Sequence, residues 1–148
     1  MSYDSTDDTL MHIRRVQDIL RGVISELDRR GNVHDLSKFS PEEKPLLDEM
    51  TPLLKTLAYG SDEYRESLKG LGPALAHHYK VNSHHPEYFE NGIAGMSILD
   101  LVEMLCDWRA ASERTKDGSF SNSVEVGIKR FNIEPQLASI LRNSVGTI

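Results

Sequence analysis

The stretch that decides the fold class is SILDLVEMLCDW, residues 97–108. Its apolar side chains recur every three or four residues, which is the spacing of one face of an α-helix. Asp100, Glu103 and Asp107 form a stripe of carboxylates beside that apolar face. We therefore predict a helix that starts after Ser97 and carries both core residues and candidate ligands.

The rest of the chain also has helical spacing. Apolar residues from Leu10 to Leu27 predict a long helix that ends at Gly31. No alternation of apolar and polar residues is long enough for a strand. We predict an all-α protein, a single compact bundle of six or seven helices over residues 1–148, with its core roughly in 8–115 and short C-terminal helices within 122–145. Other predicted helix starts are Ser40 as a cap with Pro41 in the first turn, Ser61, and a position near Pro73.

Length, charge and cysteine content limit the class of protein. The chain has 148 residues, the size of one ordinary domain, and its 17 basic and 23 acidic residues give a net charge of −6. This balance offers no basic surface for a nucleic-acid duplex. No apolar run approaches the roughly 18 to 20 residues that span a bilayer, and the polar N-terminus does not resemble a secretory signal. The single cysteine, Cys106, excludes an internal disulfide and is predicted to be a small buried side chain. We expect a cytoplasmic protein without a membrane partner.

The six histidines indicate a metal site. They occupy only four places in the chain, His12, His34, residues 77–78 and residues 84–85. At 100° per residue, His78 and His85 share the face of a helical stretch that also carries Asn82. Neutral imidazole and carboxylate are ligands that suit Mn, Fe, Co, Ni or Zn. The pattern predicts a site that several helices assemble and that binds one or two divalent transition metals.

The motif HDLSKF, residues 34–39, together with an earlier histidine and a late aspartate, resembles the HD-domain superfamily of metal-dependent phosphohydrolases. The chain is also similar to a small family common in phage genomes that carries HDLSKF-like, HxxxNxHHPE-like and EMLCDW-like segments. The resemblance covers roughly residues 12–110. It implies an HD-domain-like bundle in a bacterial or phage-infected host cytoplasm.

This resemblance also implies roles for individual residues. Asp35 would bridge two ions, and a metal-activated hydroxide would attack a nucleotide or another small phosphate ester, with Asp35 and Lys38 as the catalytic residues. The implied metal ligands are His12, His34, Asp35 and Asp107 for one ion, and His78, His84 and His85 for the other.

Further polar residues have supporting roles in this interpretation. Lys38, Asn82 and Arg109 are predicted to contact the substrate, although a surface salt bridge explains Arg109 equally well. Glu103 and Glu87 are predicted to orient metal-bound histidines. The role of His77 stays open.

Two other functions fit the same residues. A di-iron oxygenase with the HD fold would use a similar ligand set, and a non-catalytic, metal-stabilised nucleotide-binding module would need no catalytic lysine. Cyclic dinucleotide hydrolysis is disfavoured, because HD enzymes of that type carry a GYP segment after their histidine pair and this chain has HHPEYFENGIAG, residues 84–95. The sequence leaves the exact substrate, the metal and its count, and the oligomeric state open, and a homodimer is compatible with it.

Overall fold

The structure, a computed structural model, describes residues 3–56, 62–114 and 117–148, without the side chains of Lys55, Tyr64, Arg65 and Leu68. Every regular element in these ranges is helical, which confirms the predicted all-α class. No helix in the described ranges has the length and apolar character needed to cross a membrane. The α-helices are α1 (Thr6–Val33), α2 (Lys44–Thr56), α3 (Asp62–Lys69), α4 (Gly72–Val81), α5 (Ile98–Ser112), α6 (Phe120–Arg130) and α7 (Pro135–Ser144), and short 3-10 helices lie at Leu36–Phe39, Pro86–Tyr88 and Gly92–Gly95.

The chain divides into two compact units, Met1–His34 and Asp35–Ile148. The first unit is formed by α1, which has acidic side chains in its first turn and Arg30 in its last, as the helix dipole favours. The prediction that this helix ends at Gly31 was wrong. Gly31 does not take the left-handed conformation that terminates helices, and α1 continues to Val33.

The core of the second unit lies among α5, α6 and α7. Trp108 on α5 packs over Gly127 on α6, and its ring also stacks on Phe131, with the two planes 4° apart. Cys106 is exposed, so the prediction that it is buried was wrong; the neighbouring Met104 and Leu105 occupy the buried positions of this turn. The buried residues of the cluster are Leu105, Val124, Ile133, Ala138 and Leu141.

Two helix starts differ in how well the sequence predicts them. α5 begins as expected, because the Ser97 hydroxyl accepts from the backbone N–H of Asp100 and the Asp100 side chain accepts from the backbone N–H of Ser97. The start predicted at Ser40 was wrong, since α2 begins only at Lys44. The intervening residues form a turn in which the N–H groups of Glu43 and Lys44 both donate to the Ser40 carbonyl, at 3.3 and 2.9 Å.

The predicted start at Ser61 lies outside the described residues, and α3 is described from Asp62. The start near Pro73 is confirmed by α4, in which Pro73 stands in the first turn, where a proline removes no intrahelical hydrogen bond. α2 contains Pro52 in its interior and packs against both α3 and α4. These contacts place α4, which carries His77 and His78, beside the turn that precedes α2.

Candidate metal centre

Asp35 stands at a backbone position of unusual conformation. Its φ of +59° lies in the left-handed region, which aspartate tolerates better than most residues that have a Cβ. The 3-10 helix Leu36–Phe39 follows at once, and the Lys38 N–H donates to the Asp35 carbonyl at 2.9 Å. This turn brings Lys38 Nζ to 2.5 Å from Asp35 Oδ2. The two residues predicted to be catalytic are therefore an ion pair.

Three histidines converge on the Asp35 carboxylate. The Nε2 atoms of His78 and His84 lie 3.3 and 3.4 Å from Asp35 Oδ1, and His85 Nε2 lies 3.0 Å from His78 Nε2. Each of the four residues offers one ligand atom, and these atoms all lie within 4.8 Å of one another. His78 and His84 are buried. Three imidazole nitrogens and one carboxylate oxygen in a single cluster fit a divalent transition metal.

Carboxylates lie behind two of these histidines. Glu43 Oε2 is 3.0 Å from Nδ1 of His78, and Glu103 Oε1 is 3.2 Å from Nδ1 of His84. Histidines that ligate metals usually donate their other ring N–H to such a group. The sequence singled out Glu103 for this position and missed Glu43, because Glu43 reads as an ordinary acid in the first turn of a helix.

α5 brings the carboxylate stripe predicted from the sequence to this cluster. An oxygen of Asp107 lies within 4.8 Å of an oxygen of Asp35, and Glu103 is one helical turn earlier. Asp100, the third carboxylate of the stripe, has a structural role. It takes part in the capping box at the start of α5, and its Oδ1 accepts a hydrogen bond from the Ser83 hydroxyl at 2.9 Å. The segment that carries His84 is thereby tied to the start of α5.

Asn82 connects three parts of the site. Its side-chain amide donates to the Ser37 hydroxyl and to the carbonyl of His78, both at 2.8 Å. The Ser37 hydroxyl lies 3.1 Å from Nδ1 of His78. Asn82 was predicted to bind substrate, and in the structure its amide holds the end of α4 against the 3-10 helix that contains Lys38.

The electrostatics of the cluster determine the protonation states of two candidate ligands, Asp35 and His85. Burial raises the pKa of Asp35, but the side chains of His78, His84 and Lys38 around its carboxylate outweigh this effect and hold that pKa well below its usual range. Burial, with the neighbouring His84 and His78, lowers the pKa of His85 to about 3. At neutral pH, therefore, Asp35 is a carboxylate and His85 is a neutral imidazole, the forms in which both bind metals.

A small cavity adjoins the cluster. Its volume is about 150 Å³, and its wall is mostly apolar, with one cationic side chain, Lys38, at the edge next to Asp35. A cavity beside candidate ligands can admit part of a small molecule. The lining residues are Lys38, Glu43, Leu47, Ala74, Leu75, His78, Tyr79 and His85.

The other residues singled out from the sequence lie elsewhere. His12 is on α1, and His34 caps its end; both belong to the N-terminal unit, and their role as ligands stays a prediction.

Arg109 pairs with Glu113 at 2.9 Å. Glu87 pairs with Arg130 at 2.7 Å. His77 Nδ1 lies 2.8 Å from Glu43 Oε1, so one carboxylate contacts both histidines of the pair at 77–78.

Over residues 1–147 the chain matches a family described as Family of unknown function (DUF5662), and it belongs to that family. No curated protein matches the chain, and no solved structure matches it. The case for a function therefore depends on the geometry of the cluster and on the resemblance in sequence.

Proposed function

We propose that this protein is a metal-dependent phosphohydrolase that acts on a small phosphate ester. The observation that carries the proposal is the convergence of three imidazole nitrogens on the carboxylate of Asp35, with Lys38 paired to the same carboxylate. The resemblance of HDLSKF to the HD-domain superfamily supports the same reaction class.

The residues that would hold the metal are Asp35, His78, His84 and His85, with Asp107 close to Asp35. When bound, a divalent cation lowers the pKa of a water ligand to about 7 and stabilises negative charge on a phosphoryl oxygen. His85 stays neutral at the pH of the reaction because its pKa is about 3, so its lone pair is available to the cation.

Lys38 would bind the phosphate. Its ammonium group lies at the wall of the cavity beside the ligand cluster, and in the structure it is paired with Asp35. An ammonium group fixed at this place can hydrogen-bond to a phosphate oxygen and offset the charge that develops in the transition state. The backbone keeps Lys38 close to Asp35, because one turn of a 3-10 helix separates the two residues.

The cavity can take a small organic group of the ester. It has a volume of about 150 Å³, enough for a benzene ring, and Leu47, Leu75 and Tyr79 border it together with polar residues of the site. It is partly open to solvent, so its volume sets no upper limit on the substrate. A nucleotide, the substrate predicted from the sequence, and phosphate esters of small alcohols and phenols are therefore both candidates.

Phosphate release from a substrate panel tests the proposal. The panel contains phenyl phosphate, short alkyl phosphates and mono-, tri- and cyclic nucleotides, each with Mn, Co, Fe or Zn. We expect metal-dependent hydrolysis of at least one of these esters, and we expect a chelator to remove that activity. Asp35→Asn should lose at least 100-fold in turnover, because even the outer partners of metal ligands are worth about 10–100-fold. The exposed Glu42, changed to Gln, is the matched control and should retain activity.

Three results would contradict the phosphohydrolase. Protein that neither retains nor takes up a transition metal would exclude the metal centre. Metal binding without turnover of any ester would favour the non-catalytic binding module. An iron-loaded protein that absorbs visible light and consumes O₂ without releasing phosphate would favour the di-iron oxygenase.

A further inference from the structure

We propose that Glu43 is a positioning residue that fixes the ring of His78 with Nε2 directed toward the metal. The inference rests on the proposed function, because it assigns Glu43 a part in the same centre. It adds a residue that neither the resemblance in sequence nor the predicted helix pattern identifies.

The contacts of Glu43 restrict the two imidazoles it touches. The side chain is 1% exposed, and its oxygens lie 3.0 Å from His78 Nδ1 and 2.8 Å from His77 Nδ1. A carboxylate accepts hydrogen bonds and donates none, so Glu43 favours the form of each ring that has a hydrogen on Nδ1. The lone pair of a neutral His78 is then on Nε2, the atom 3.3 Å from Asp35 Oδ1.

The backbone around Glu43 holds this carboxylate in place. The residue belongs to the turn between Ser40 and the start of α2, where its N–H donates to the Ser40 carbonyl and its own carbonyl accepts from the Leu47 N–H. The Ser37 hydroxyl, which lies 3.1 Å from Nδ1 of His78, is part of the same group of contacts. With both oxygens engaged and the backbone fixed on each side, the carboxylate has little freedom to turn away from His78.

The arrangement at His84 provides a comparison within the same site. There Glu103, from α5, faces Nδ1 in the same way at 3.2 Å. Two histidines whose Nε2 atoms face Asp35 Oδ1 thus each have a carboxylate on the opposite nitrogen, although the carboxylates come from different elements. If Glu43 served only to join the start of α2 to α4, one contact with α4 would be enough. Glu43 instead contacts the Nδ1 atoms of two imidazoles, those of His77 and His78.

Metal affinity measured on folded protein tests the role of Glu43. Metal-free wild type, Glu43→Gln and Glu42→Gln are each titrated with Co²⁺ alone and followed by visible absorption, and circular dichroism checks that each variant is folded. We expect Glu43→Gln to bind Co²⁺ about 10–100-fold more weakly, the usual loss for an outer partner of a ligating histidine. Glu42→Gln, one residue away and exposed, should bind like the wild type.

A second measurement needs no variant. In ¹⁵N spectra of the wild type loaded with Zn²⁺, the His78 ring should carry its hydrogen on Nδ1; a hydrogen on Nε2 would overturn the inference. It would also be overturned if Glu43→Gln lowered the melting temperature but left the Co²⁺ affinity of the folded protein unchanged, since that is the result expected of a purely structural residue. Failure of the wild type to bind Co²⁺ at all would instead remove the proposed metal centre, and the inference with it.

Discussion

At the scale of single residues, Gly127 shows how closely α5 and α6 pack. A Cβ at this position would lie 2.1 Å from Cη2 of Trp108, far inside van der Waals contact. Gly127→Ala must therefore displace the indole, and we expect it to lower the free energy of unfolding by about 1–3 kcal/mol, as overpacked cores do. Gly72→Ala is the control, because nothing lies within 4 Å of its new Cβ. Equal effects of the two substitutions in urea unfolding would show that the Trp108 contact is not tight.

The residues of the cluster differ in how far the sequence predicts their position. His78, His84, His85 and Asp35 were selected by composition, helical phase and resemblance, and the second unit brings them together. Glu43 was not selected, because its burial depends on a turn that delays the start of α2. Local sequence shows that an acid near a helix start is favourable, and it does not show which neighbouring element that acid will face.

At the scale of elements, the capped start of α5 holds the segment that carries His84 and His85. Ser83→Ala removes one hydrogen bond, from the Ser83 hydroxyl to Asp100 Oδ1, and leaves that buried carboxylate with its contacts to Ser97. We expect a loss of about 0.5–1.5 kcal/mol in the free energy of unfolding. Metal content at saturating metal should not change, because Ser83 supplies no ligand.

The control for Ser83 is Ser139→Ala on α7. That hydroxyl donates only to the carbonyl of Pro135 on an exposed helix surface, and its removal should change the stability by less than about 0.5 kcal/mol. If thermal unfolding gave the same small change for both serines, the contact between Ser83 and Asp100 would contribute nothing to the stability of the fold.

Helix starts and ends were predictable where a side chain or a proline determines them. Ser97 with Asp100 fixes the beginning of α5, and Pro73 marks the first turn of α4. The C-terminal end of α1 and the beginning of α2 were predicted incorrectly. Gly31 and Ser40 have the residue types of terminators and caps, but such preferences amount to about 1 kcal/mol, which the surrounding structure can override.

At the scale of the whole molecule, the buried charges of the site make the stability of the metal-free protein depend on pH. The pKa of His85 is lowered from 6.5 to about 3 in the folded protein, mainly by burial. Between these values the unfolded chain binds a proton that the folded protein does not, so the free energy of unfolding falls as the pH falls from about 6.5 toward 3.

The two carboxylates act in the same direction at lower pH. The pKa values of Asp35 and Glu43 are lowered in the folded state, because the surrounding histidines and other polar neighbours outweigh the effect of burial. Their contribution to stability is complete above the unfolded values near 4 and is lost as the pH falls below them. As the pH falls, the free energy of unfolding therefore decreases in two stages. The first stage comes from proton uptake by His85 in the unfolded chain, and the second comes from proton uptake by the two carboxylates.

Melting temperatures measured with a chelator from pH 7 to pH 4 separate these stages. We expect the melting temperature of the wild type to fall already between pH 6.5 and 5. The melting temperature of His85→Asn should hardly change over that interval, because the asparagine side chain binds no proton. Asp48→Asn, which changes an exposed carboxylate on α2, should follow the wild type. Parallel curves for wild type and His85→Asn would mean that His85 titrates alike in the folded and unfolded chains, and that the imidazole is not held neutral inside the cluster.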